Sequence, residues 1–355
     1  MHWSTLFWRN KAAMTIKDIA KKAGVSVATV SRVINNYKWV SEDLRKRVMK
    51  VVEEENYRPN YNAGVMVTGK SNMIVIVVPE IVNPFFAQFT SVISKKMKMA
   101  GYTTILIQTD NNEEEEIAFL KGPYARMADG IISITDAVED DLLMEAIKPL
   151  RELNKPLLFI DRYLPNNIAD CVINDNIGAM HRAVELLSKN GHRNVAMICG
   201  ANGLTVVRDK LKGFRSAMRE FHLPVNSNYI RMGDWTVRTG SLEAARLMRM
   251  RVPPTAIIAC NNYICKGVMD FCDSAGLEIG KDLSLIGFEE SSSDEHLFSQ
   301  MGITTLKLDP EKLAAYASRY FLEKLQHNES QNYYSITEYV VELIERNSVG
   351  PVKTT

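Results

Sequence analysis

A short predicted helix near the start of the chain carries the residues best suited to chemistry on a partner molecule. Residues 15–35 read TIKDIAKKAGVSVATVSRVIN, and Thr29, Ser31 and Arg32 fall largely on one side of the second helix in this segment. An arginine can donate two parallel hydrogen bonds to guanine, and hydroxyl groups can bind phosphate oxygens. These residue types therefore indicate a helix that binds nucleic acid.

Two helices joined by a tight turn must position that face. Thr15 can cap the first helix, Gly24 suits the left-handed backbone beyond its end, and Ser26 can cap the second helix. The apolar residues recur at helical spacing and are Ile16, Ile19, Ala20 and Ala23 in the first helix and Val30, Val33 and Ile34 in the second. The pattern predicts a helix-turn-helix, whose second helix enters the major groove of double-stranded DNA.

The charge distribution agrees with a DNA-binding head. Residues 1–71 contain 13 Lys and Arg and 6 Asp and Glu, a formal charge of +7. The rest of the 355-residue chain contains 30 Lys and Arg and 36 Asp and Glu, a formal charge of −6. A basic head attracts DNA phosphates and an acidic body is repelled by them. The length is sufficient for two or three domains.

Other classes of protein are not indicated. The five cysteines form no Cys-x-x-Cys pair, and no phosphate loop, GxSxG or HExxH sequence occurs, so we expect no metal site, no cofactor and no enzyme activity. No apolar run approaches the ~18 residues of a membrane span. The leader over residues 1–13 lacks the features of a signal peptide. We expect a disordered leader, a natural start at Met14, and a cytoplasmic, nucleoid-associated protein.

The body of the chain alternates short β-branched runs with helical stretches. The predicted strands are Ile74–Val78, Thr104–Gln108, Gly130–Ile134, Leu157–Ile160, Cys171–Ile173, Val195–Cys199, Ile230–Met232, Ala256–Ala259 and Leu283–Gly287. The predicted helices include Pro84–Ala100, Asn176–Asn190, Arg208–Phe221, Thr239–Arg251 and Tyr263–Ala275. Nine such strands exceed one comfortable sheet, so the pattern predicts an α/β core of two doubly wound parallel-sheet lobes behind an all-α head.

Ligands bind beyond the carboxyl ends of strands in such sheets. Polar or aromatic residues stand directly after several predicted strands, namely Asn83, Asp110, Asp161, Asp175, Trp235, Asn261 and Glu289. Asp and Asn are also common there because they stabilise turns, so a turn role is the alternative to ligand binding at each single position.

At residues 15–35 the chain resembles the head of the lactose/galactose repressor (LacI/GalR) family of bacterial transcription regulators, whose pattern is TIKDVAxxAGVSxxTVSRVLN. The likeness continues through Val40–Asn60, which corresponds to the third helix and the start of the family's hinge. The resemblance implies DNA contacts at Val27, Ala28 and Arg32 for base edges, Thr29 and Ser31 for phosphates, and Met66 for a minor-groove wedge.

The resemblance also implies a core like that of periplasmic sugar-binding proteins, which binds effector and forms the dimer. The expected domains are a helix-turn-helix domain over residues 14–58, a hinge over 59–71, a two-lobed core over 72–346 and a tail over 347–355. Lobe 1 is expected at about 72–161 and 291–321, and lobe 2 at about 162–290 and 322–346. The chain would cross between lobes near Asp161, near Glu289–Ser293 and after Phe321, and a last strand over Ser335–Ile344 would return to lobe 2.

Six residues receive effector-binding roles from the resemblance, namely Phe86 in NPFF, Asp161 in DR, Lys210, Trp235, Asn261 in the family's AND motif, and Glu289. Trp235 would stack on the apolar face of a sugar ring, and an amide such as that of Asn261 can both donate to and accept from hydroxyls.

Several of these positions depart from the family's pattern. Lys210 replaces an arginine, and a lysine lacks the planar fork of a guanidinium. Glu289 and Asn262 replace aspartates, and three apolar residues stand where some relatives have polar contacts, namely Leu204, Val206 and Leu308. The departures indicate a small-molecule effector other than those of the lactose and purine repressors, in the class of sugars, sugar acids or sugar phosphates.

The predicted function is therefore a repressor of a carbohydrate-utilisation operon that binds a palindromic operator as a homodimer under allosteric control by its effector. Two alternatives stay open. One is a global catabolite-type regulator controlled by a phosphorylated carrier protein, and the other is a repressor that responds to a nucleobase or nucleoside. A secreted sugar-binding protein is disfavoured because it would need a secretion signal and no DNA-binding head.

The hinge gives a first testable prediction. Gly64 lowers helix propensity by ~1 kcal/mol relative to Ala, and it stands where relatives often carry Arg. We expect weaker folding of the hinge on DNA and a shallower operator bend than a typical family member produces. A circular-permutation bending assay measures the angle, and Gly64→Ala is expected to increase it. A wild-type kink as sharp as that of a typical relative would contradict the prediction.

Overall fold

The computed structural model describes residues 14–34, 37, 39–58, 69–138, 140–164, 168–200, 203–289, 291–327 and 334–352. These residues belong to two compact units, one extending to Ser71 and the other beginning at Asn72. The leader over residues 1–13 and the hinge residues 59–68, including Met66 and Gly64, lie outside the described part of the chain.

The first unit contains the predicted helix-turn-helix. Its helices are α1 (Ile16–Ala23), α2 (Val27–Ile34) and α3 (Glu42–Glu54). The three predicted end signals are confirmed. Thr15 and Asp18 form a reciprocal capping box at α1, Gly24 ends α1 with φ 63°, and the Ser26 hydroxyl accepts from the Thr29 N–H at 3.1 Å. The predicted apolar faces bury Ile19, Ala20, Ala23, Val30 and Val33 against Val48 of α3.

The strands of the second unit are, in chain order, β1 (Met73–Val78), β2 (Thr103–Gln108), β3 (Gly130–Ser133), β4 (Leu157–Ile160), β5 (Asp170–Asn174), β6 (Val195–Cys199), β7 (Ile230–Met232), β8 (Ala256–Ala259), β9 (Ser284–Glu289), β10 (Thr304–Lys307), β11 (Ile336–Tyr339) and β12 (Glu342–Ile344). Its helices are α4 (Pro84–Met99), α5 (Glu113–Lys121), α6 (Pro123–Met127), α7 (Asp140–Glu152), α8 (Asn176–Lys189), α9 (Thr205–Glu220), α10 (Val237–Met248), α11 (Asn262–Ala275), α12 (Ser292–Gln300) and α13 (Pro310–His327).

Two six-stranded sheets form the two lobes. The first has the order β11-β5-β4-β3-β1-β2 and is parallel, and the second has the order β12-β10-β9-β8-β6-β7, with β12 antiparallel. Central strands such as β6 and β8 are buried along their whole length because helices cover both faces of each sheet. The predicted fold class is confirmed. None of the described helices is long and apolar enough to cross a membrane.

The strand pairing corrects the expected lobe bounds. The chain does cross three times, but it crosses near Asp175, near 308–309 and near 340–341, because β5 pairs with β4 and β10 pairs with β9. The single strand predicted over Ser335–Ile344 is two strands, with β11 in the first sheet and β12 in the second. Alternating side chains identify a strand but carry no information about which sheet it joins.

Close packing of α10 against α11 determines where two predicted site residues stand. A Cβ atom on Gly267 would overlap the Val237 carbonyl oxygen, and a Cβ atom on Gly240 would overlap the Ile264 carbonyl oxygen. The helices can approach this closely only because both positions are glycine. Trp235 lies just before α10 and Asn261 just before α11, so the contact brings the two residues together.

Substitution at this contact should therefore destabilise the core. Gly267→Ala is expected to lower the free energy of unfolding by ~1–3 kcal/mol, as overpacking does in other cores. Ser274→Ala, on the exposed face of the same helix, is the matched control and should change it by less than ~0.5 kcal/mol. Urea unfolding monitored by circular dichroism measures both values. Equal stability of the two variants would refute the packing argument.

Candidate functional site

A cleft of about 780 Å³ separates the two lobes and is lined by residues that follow the strands. Five of the six predicted effector-binding residues line it, namely Phe86, Asp161, Lys210, Trp235 and Asn261. The apolar Leu204, Val206 and Leu308 line it as well. Glu289 is the last residue of β9, and its side chain lies outside the described part of the structure. The sequence thus locates the cleft, while the contacts of its residues with an effector stay predictions.

On the lobe 2 side, Lys210 lies beneath the ring of Trp235. The Lys210 side chain is 3% exposed, and its Nζ donates to the Cys260 carbonyl at 2.8 Å. The ammonium lies 3.8 Å from the centre of the Phe288 ring and 5.9 Å from that of Trp235, within the range of cation–π attraction. Among the described residues, no carboxylate lies within ion-pair distance of Lys210. The cleft therefore contains a buried positive charge with unused donor capacity.

Trp235 and Asn261 hold each other in place. The Trp235 ring packs directly on Gly200, where a Cβ atom would overlap the indole. Asn261 caps α11, with its Oδ1 accepting from the Ile264 N–H at 2.8 Å and its Nδ2 donating to the Trp235 carbonyl at 3.3 Å. Much of the hydrogen-bonding capacity that the sequence suggested for an effector is thus occupied by the fold.

The lobe 1 side contains an ion pair that the sequence analysis missed. Arg162 and Asp136 are both buried, and their Nη1 and Oδ1 atoms are 2.6 Å apart. The guanidinium lies 5.9 Å from the centre of the Phe86 ring, and Asp136 also accepts from the hydroxyl of Thr109. Asp161, next to Arg162, has φ 62° and accepts from Asn174 Nδ2 at 3.0 Å. Aspartate is one of the non-glycine residues that adopt this left-handed backbone more often than others.

Glu116 lies behind this pair, fully buried. One carboxylate oxygen accepts from the Ser133 hydroxyl at 2.7 Å, and the other accepts from the Thr135 hydroxyl at 2.8 Å and the Asp136 N–H at 2.9 Å. Burial raises the pKa of Glu116 to about 7, although the three hydrogen bonds oppose this shift. Glu116 belongs to a run of four glutamates, a pattern typical of an exposed helix start. The sequence therefore did not predict that Glu116 is buried.

The lobes also touch beside the cleft. The Thr205 hydroxyl donates to the Tyr163 carbonyl at 2.7 Å and accepts from the Tyr163 N–H at 3.1 Å. The Tyr163 hydroxyl donates to Asp209 at 3.1 Å, and burial beside that carboxylate raises the pKa of Tyr163 to about 12. Gln88 of α4 donates to the Ser292 hydroxyl of α12 at 2.9 Å. These contacts join the two lobes beside the cleft.

The predicted DNA-reading residues form the outer face of α2. Val27, Ala28 and Arg32 are exposed, and Thr29 and Ser31 are half-buried. Arg45 of α3 donates to the Tyr37 carbonyl at 2.8 Å and to the Val33 carbonyl at 3.4 Å near the end of α2. Within the described ranges, no group of three or more His, Cys, Asp or Glu side chains could hold a metal ion.

Comparisons with known proteins agree with both the two-lobed core and the helix-turn-helix unit. Residues 71–345 match the family described as periplasmic binding proteins and sugar binding domain of LacI family, and residues 15–60 match bacterial regulatory proteins, lacI family. The HTH-type transcriptional regulator DegA of Bacillus subtilis (strain 168) is 33% identical over 277 residues, which are 78% of this chain and 82% of DegA.

Two further relatives and one solved structure extend the comparison. The repressor PurR of Actinobacillus pleuropneumoniae serotype 3 (strain JL03) is 28% identical over 94% of this chain and 98% of its own length. Catabolite control protein A of Priestia megaterium is 31% identical over 279 residues, which are 78% of this chain and 83% of that protein. The Lac repressor dimer bound to operator and the anti-inducer ONPF has a TM-score of 0.81 at 23% identity, covering 95% of this chain and 99% of that one.

The buried carboxyl of Glu116 predicts a pH dependence of stability. The pKa of this group is 4.5 ordinarily and about 7 in the folded chain, so the folded state keeps a proton that the unfolded state loses between these values. The free energy of unfolding should therefore fall as pH rises from 4.5 to 7, by about 3 kcal/mol in total, and then level off.

Glu116→Gln should remove this fall, because glutamine stays neutral. Glu115→Gln, exposed on the same helix, should leave it in place. Urea unfolding at pH 5 and pH 8 measures the difference in stability for each protein. A fall that persists in Glu116→Gln would assign it to another group.

Proposed function

We propose that this chain, which belongs to the lacI family of bacterial regulatory proteins, represses carbohydrate-utilisation genes by binding their operator as a homodimer under control of a sugar-like effector. The observation that carries the proposal is the cleft, where an aromatic ring, a buried ammonium and a carboxylate face one space between two lobes. DNA binding and transcription regulation are properties of the family. The effector class, the dimer and the sign of control are the proposal.

The DNA-binding step rests on the exposed face of α2. Arg32 is the residue of this face that can discriminate bases strongly, through two hydrogen bonds to guanine worth about 1–3 kcal/mol. Val27 and Ala28 offer only apolar contact, for example to a thymine methyl group. One head reads one half-site, so a palindromic operator requires two chains related by a two-fold axis. We expect α4 and the end of α11 to form the dimer interface.

The chemistry of the two cleft walls narrows the effector class. Trp235 offers the apolar face that stacks on a sugar ring. Asp161 on the lobe 1 side can accept hydrogen bonds from hydroxyl groups. Lys210 on the lobe 2 side, together with the exposed guanidinium of Arg238, supplies positive charge. A ligand with hydroxyls at one end and an anionic group at the other fits this polarity, so a sugar acid or sugar phosphate is favoured over a neutral sugar.

Such a ligand would change operator affinity by bridging the lobes. Contacts with Asp161 and Lys210 at once are available only while the lobes are closed, so the ligand binds the closed arrangement better than an open one. That difference in affinity is the free energy available for coupling, typically ~1–3 kcal/mol. The identity of 31% with catabolite control protein A supports a second candidate, in which a phosphorylated carrier protein replaces or assists the small molecule.

Arg32 provides the test of DNA reading. A preferred duplex is first selected from a randomised pool by the wild-type protein. Arg32→Ala should then bind it about 10- to 100-fold more weakly and lose its preference at one base pair of each half-site. Lys50→Ala, exposed on α3, is the control and should weaken binding to all sequences alike, if at all. A loss for Arg32→Ala that is equal on every sequence would assign Arg32 to phosphate contact.

Lys210 provides the test of effector class. In a background with Trp3→Phe, Trp8→Phe and Trp39→Phe, the fluorescence of Trp235 is titrated with neutral sugars, sugar acids and sugar phosphates. We expect a saturable change with an anionic compound, and Lys210→Met should weaken its binding about tenfold or more, as loss of a hydrogen bond to a charged group does. Lys212→Met, exposed on the same helix, should bind it normally.

The pattern of responses separates the alternatives. Tight binding of a neutral sugar that is unaffected by Lys210→Met would overturn the proposal of an anionic effector. The cleft would remain the proposed binding site. If no compound of the panel changes the Trp235 fluorescence, a nucleobase ligand or a phosphorylated carrier protein is favoured. Measuring operator binding in the presence of each of these would distinguish them.

A further inference from the structure

Two cysteines stand side by side in the buried core of lobe 2, and one of them, Cys260, directly precedes the cleft-lining Asn261. Cys199 is the last residue of β6, and Cys260 directly follows β8. These strands are adjacent and parallel, and their register pairs Ile198 with Ala259, which puts Cys199 opposite Cys260. The Cys260 N–H donates to the Ile198 carbonyl at 2.9 Å, so the pairing extends to these residues. Both side chains are fully buried in the same hydrophobic core.

The backbone geometry is compatible with a disulfide. Neighbouring strands lie ~4.7–4.9 Å apart, and disulfides join residues whose Cα atoms are ~4.4–6.8 Å apart. The strand register places the two side chains on the same face of the sheet, and the Cys260 thiol influences the pKa of Cys199. A bond between the two sulfur atoms would therefore require no change of register between β6 and β8.

The electrostatic surroundings distinguish Cys199 from the other cysteines. Burial is the largest single influence on the pKa of Cys199 and raises it, but the Cys260 thiol, the Lys210 ammonium and the Gly200 backbone together lower the pKa below its ordinary value. Burial raises the pKa of Cys171 to about 12 and that of Cys272 to about 11, and it raises that of Cys265 as well. The pKa of Cys199 is thus lowered, whereas the pKa values of Cys171, Cys265 and Cys272 are raised.

The pair is connected to the effector cleft through its neighbours. Lys210, which lines the cleft, donates to the Cys260 carbonyl. Gly200, next to Cys199, supports the Trp235 ring, and Asn261, next to Cys260, donates to the Trp235 carbonyl. These positions are also the point where the strand order reverses in lobe 2, since β7 and β8 lie on opposite sides of β6. Covalent change at the pair would therefore be transmitted to Lys210 and Trp235.

We propose that Cys199 and Cys260 are a peroxide-sensitive dithiol whose oxidation to a disulfide reshapes the effector cleft. The Cys199 thiolate attacks one oxygen of hydrogen peroxide, the O–O bond breaks, and the released hydroxide takes up a proton to form water. Cys199 is then a sulfenic acid. The Cys260 sulfur attacks it, the S–S bond forms as the S–O bond breaks, and the departing hydroxide takes the Cys260 proton. Two thiols lose two electrons, and one peroxide becomes two waters.

The test treats the full chain with hydrogen peroxide, blocks the remaining thiols under denaturing conditions and maps the peptides by mass spectrometry. We expect a crosslinked peptide pair containing Cys199 and Cys260, lighter by two hydrogen atoms than the two free peptides and separated by dithiothreitol. Trp235 fluorescence, in the background that lacks the other tryptophans, should change with the same time course and return on reduction.

Matched variants assign the effect to the pair. Cys199→Ala and Cys260→Ala should each lose the fluorescence response to peroxide, whereas Cys171→Ala, which removes a buried thiol of lobe 1, should keep it. Two outcomes overturn the proposal: both thiols stay reduced in the wild-type protein under peroxide, or the disulfide forms without any change at Trp235. The wild-type mapping needs no variant, so a substitution that fails to fold leaves the test intact. None of these readouts depends on the identity of the effector.

Discussion

The arrangement of the core depends on one constraint: the chain leaves a lobe only at the carboxyl end of a strand. The three crossings follow β5, β10 and β11, and each carries the chain to the other sheet. The carboxyl edges of both sheets therefore face the same gap. Parallel strands bring the loops that follow them to one edge of the sheet. The loops of both sheets therefore line a single cleft. Side chains far apart in sequence, such as Phe86 and Trp235, meet there for this topological reason.

The sequence is most informative where a short-range rule decides the structure. The strands Leu157–Ile160, Val195–Cys199, Ile230–Met232 and Ala256–Ala259 were predicted with the observed bounds, because each is a short run of mostly apolar residues in which Arg231 is the one charged residue. The caps of the head were likewise predictable from local chemistry. The strand β10 was missed, and the lobe bounds were displaced, because sheet membership depends on pairing between distant segments.

The same distinction separates the site residues. Phe86 and Trp235 could be found because strand ends and family motifs mark them in the sequence. The ion pair between Arg162 and Asp136 joins residues 26 positions apart, and no local pattern connects them. Asn261 shows a third case, since the residue was located correctly while its amide groups turned out to cap a helix and hold a backbone carbonyl. Position is thus easier to predict than the use of each polar atom.

The charges buried around the cleft lower the stability of this region, which accords with the binding role proposed for it. An ion pair removed from water loses several kcal/mol of solvation per ion, and apolar residues of similar volume are often at least as stable. Arg162, Asp136 and Lys210 incur this cost, and all three line the cleft. Sites that bind ligands characteristically depart from the most stable arrangement. A ligand that satisfies Lys210 and Asp161 recovers part of this free energy only when both lobes contact it. Under the proposed function, a ligand that bridges the lobes would add to the contacts already present between them, and that added free energy would be available for allosteric coupling.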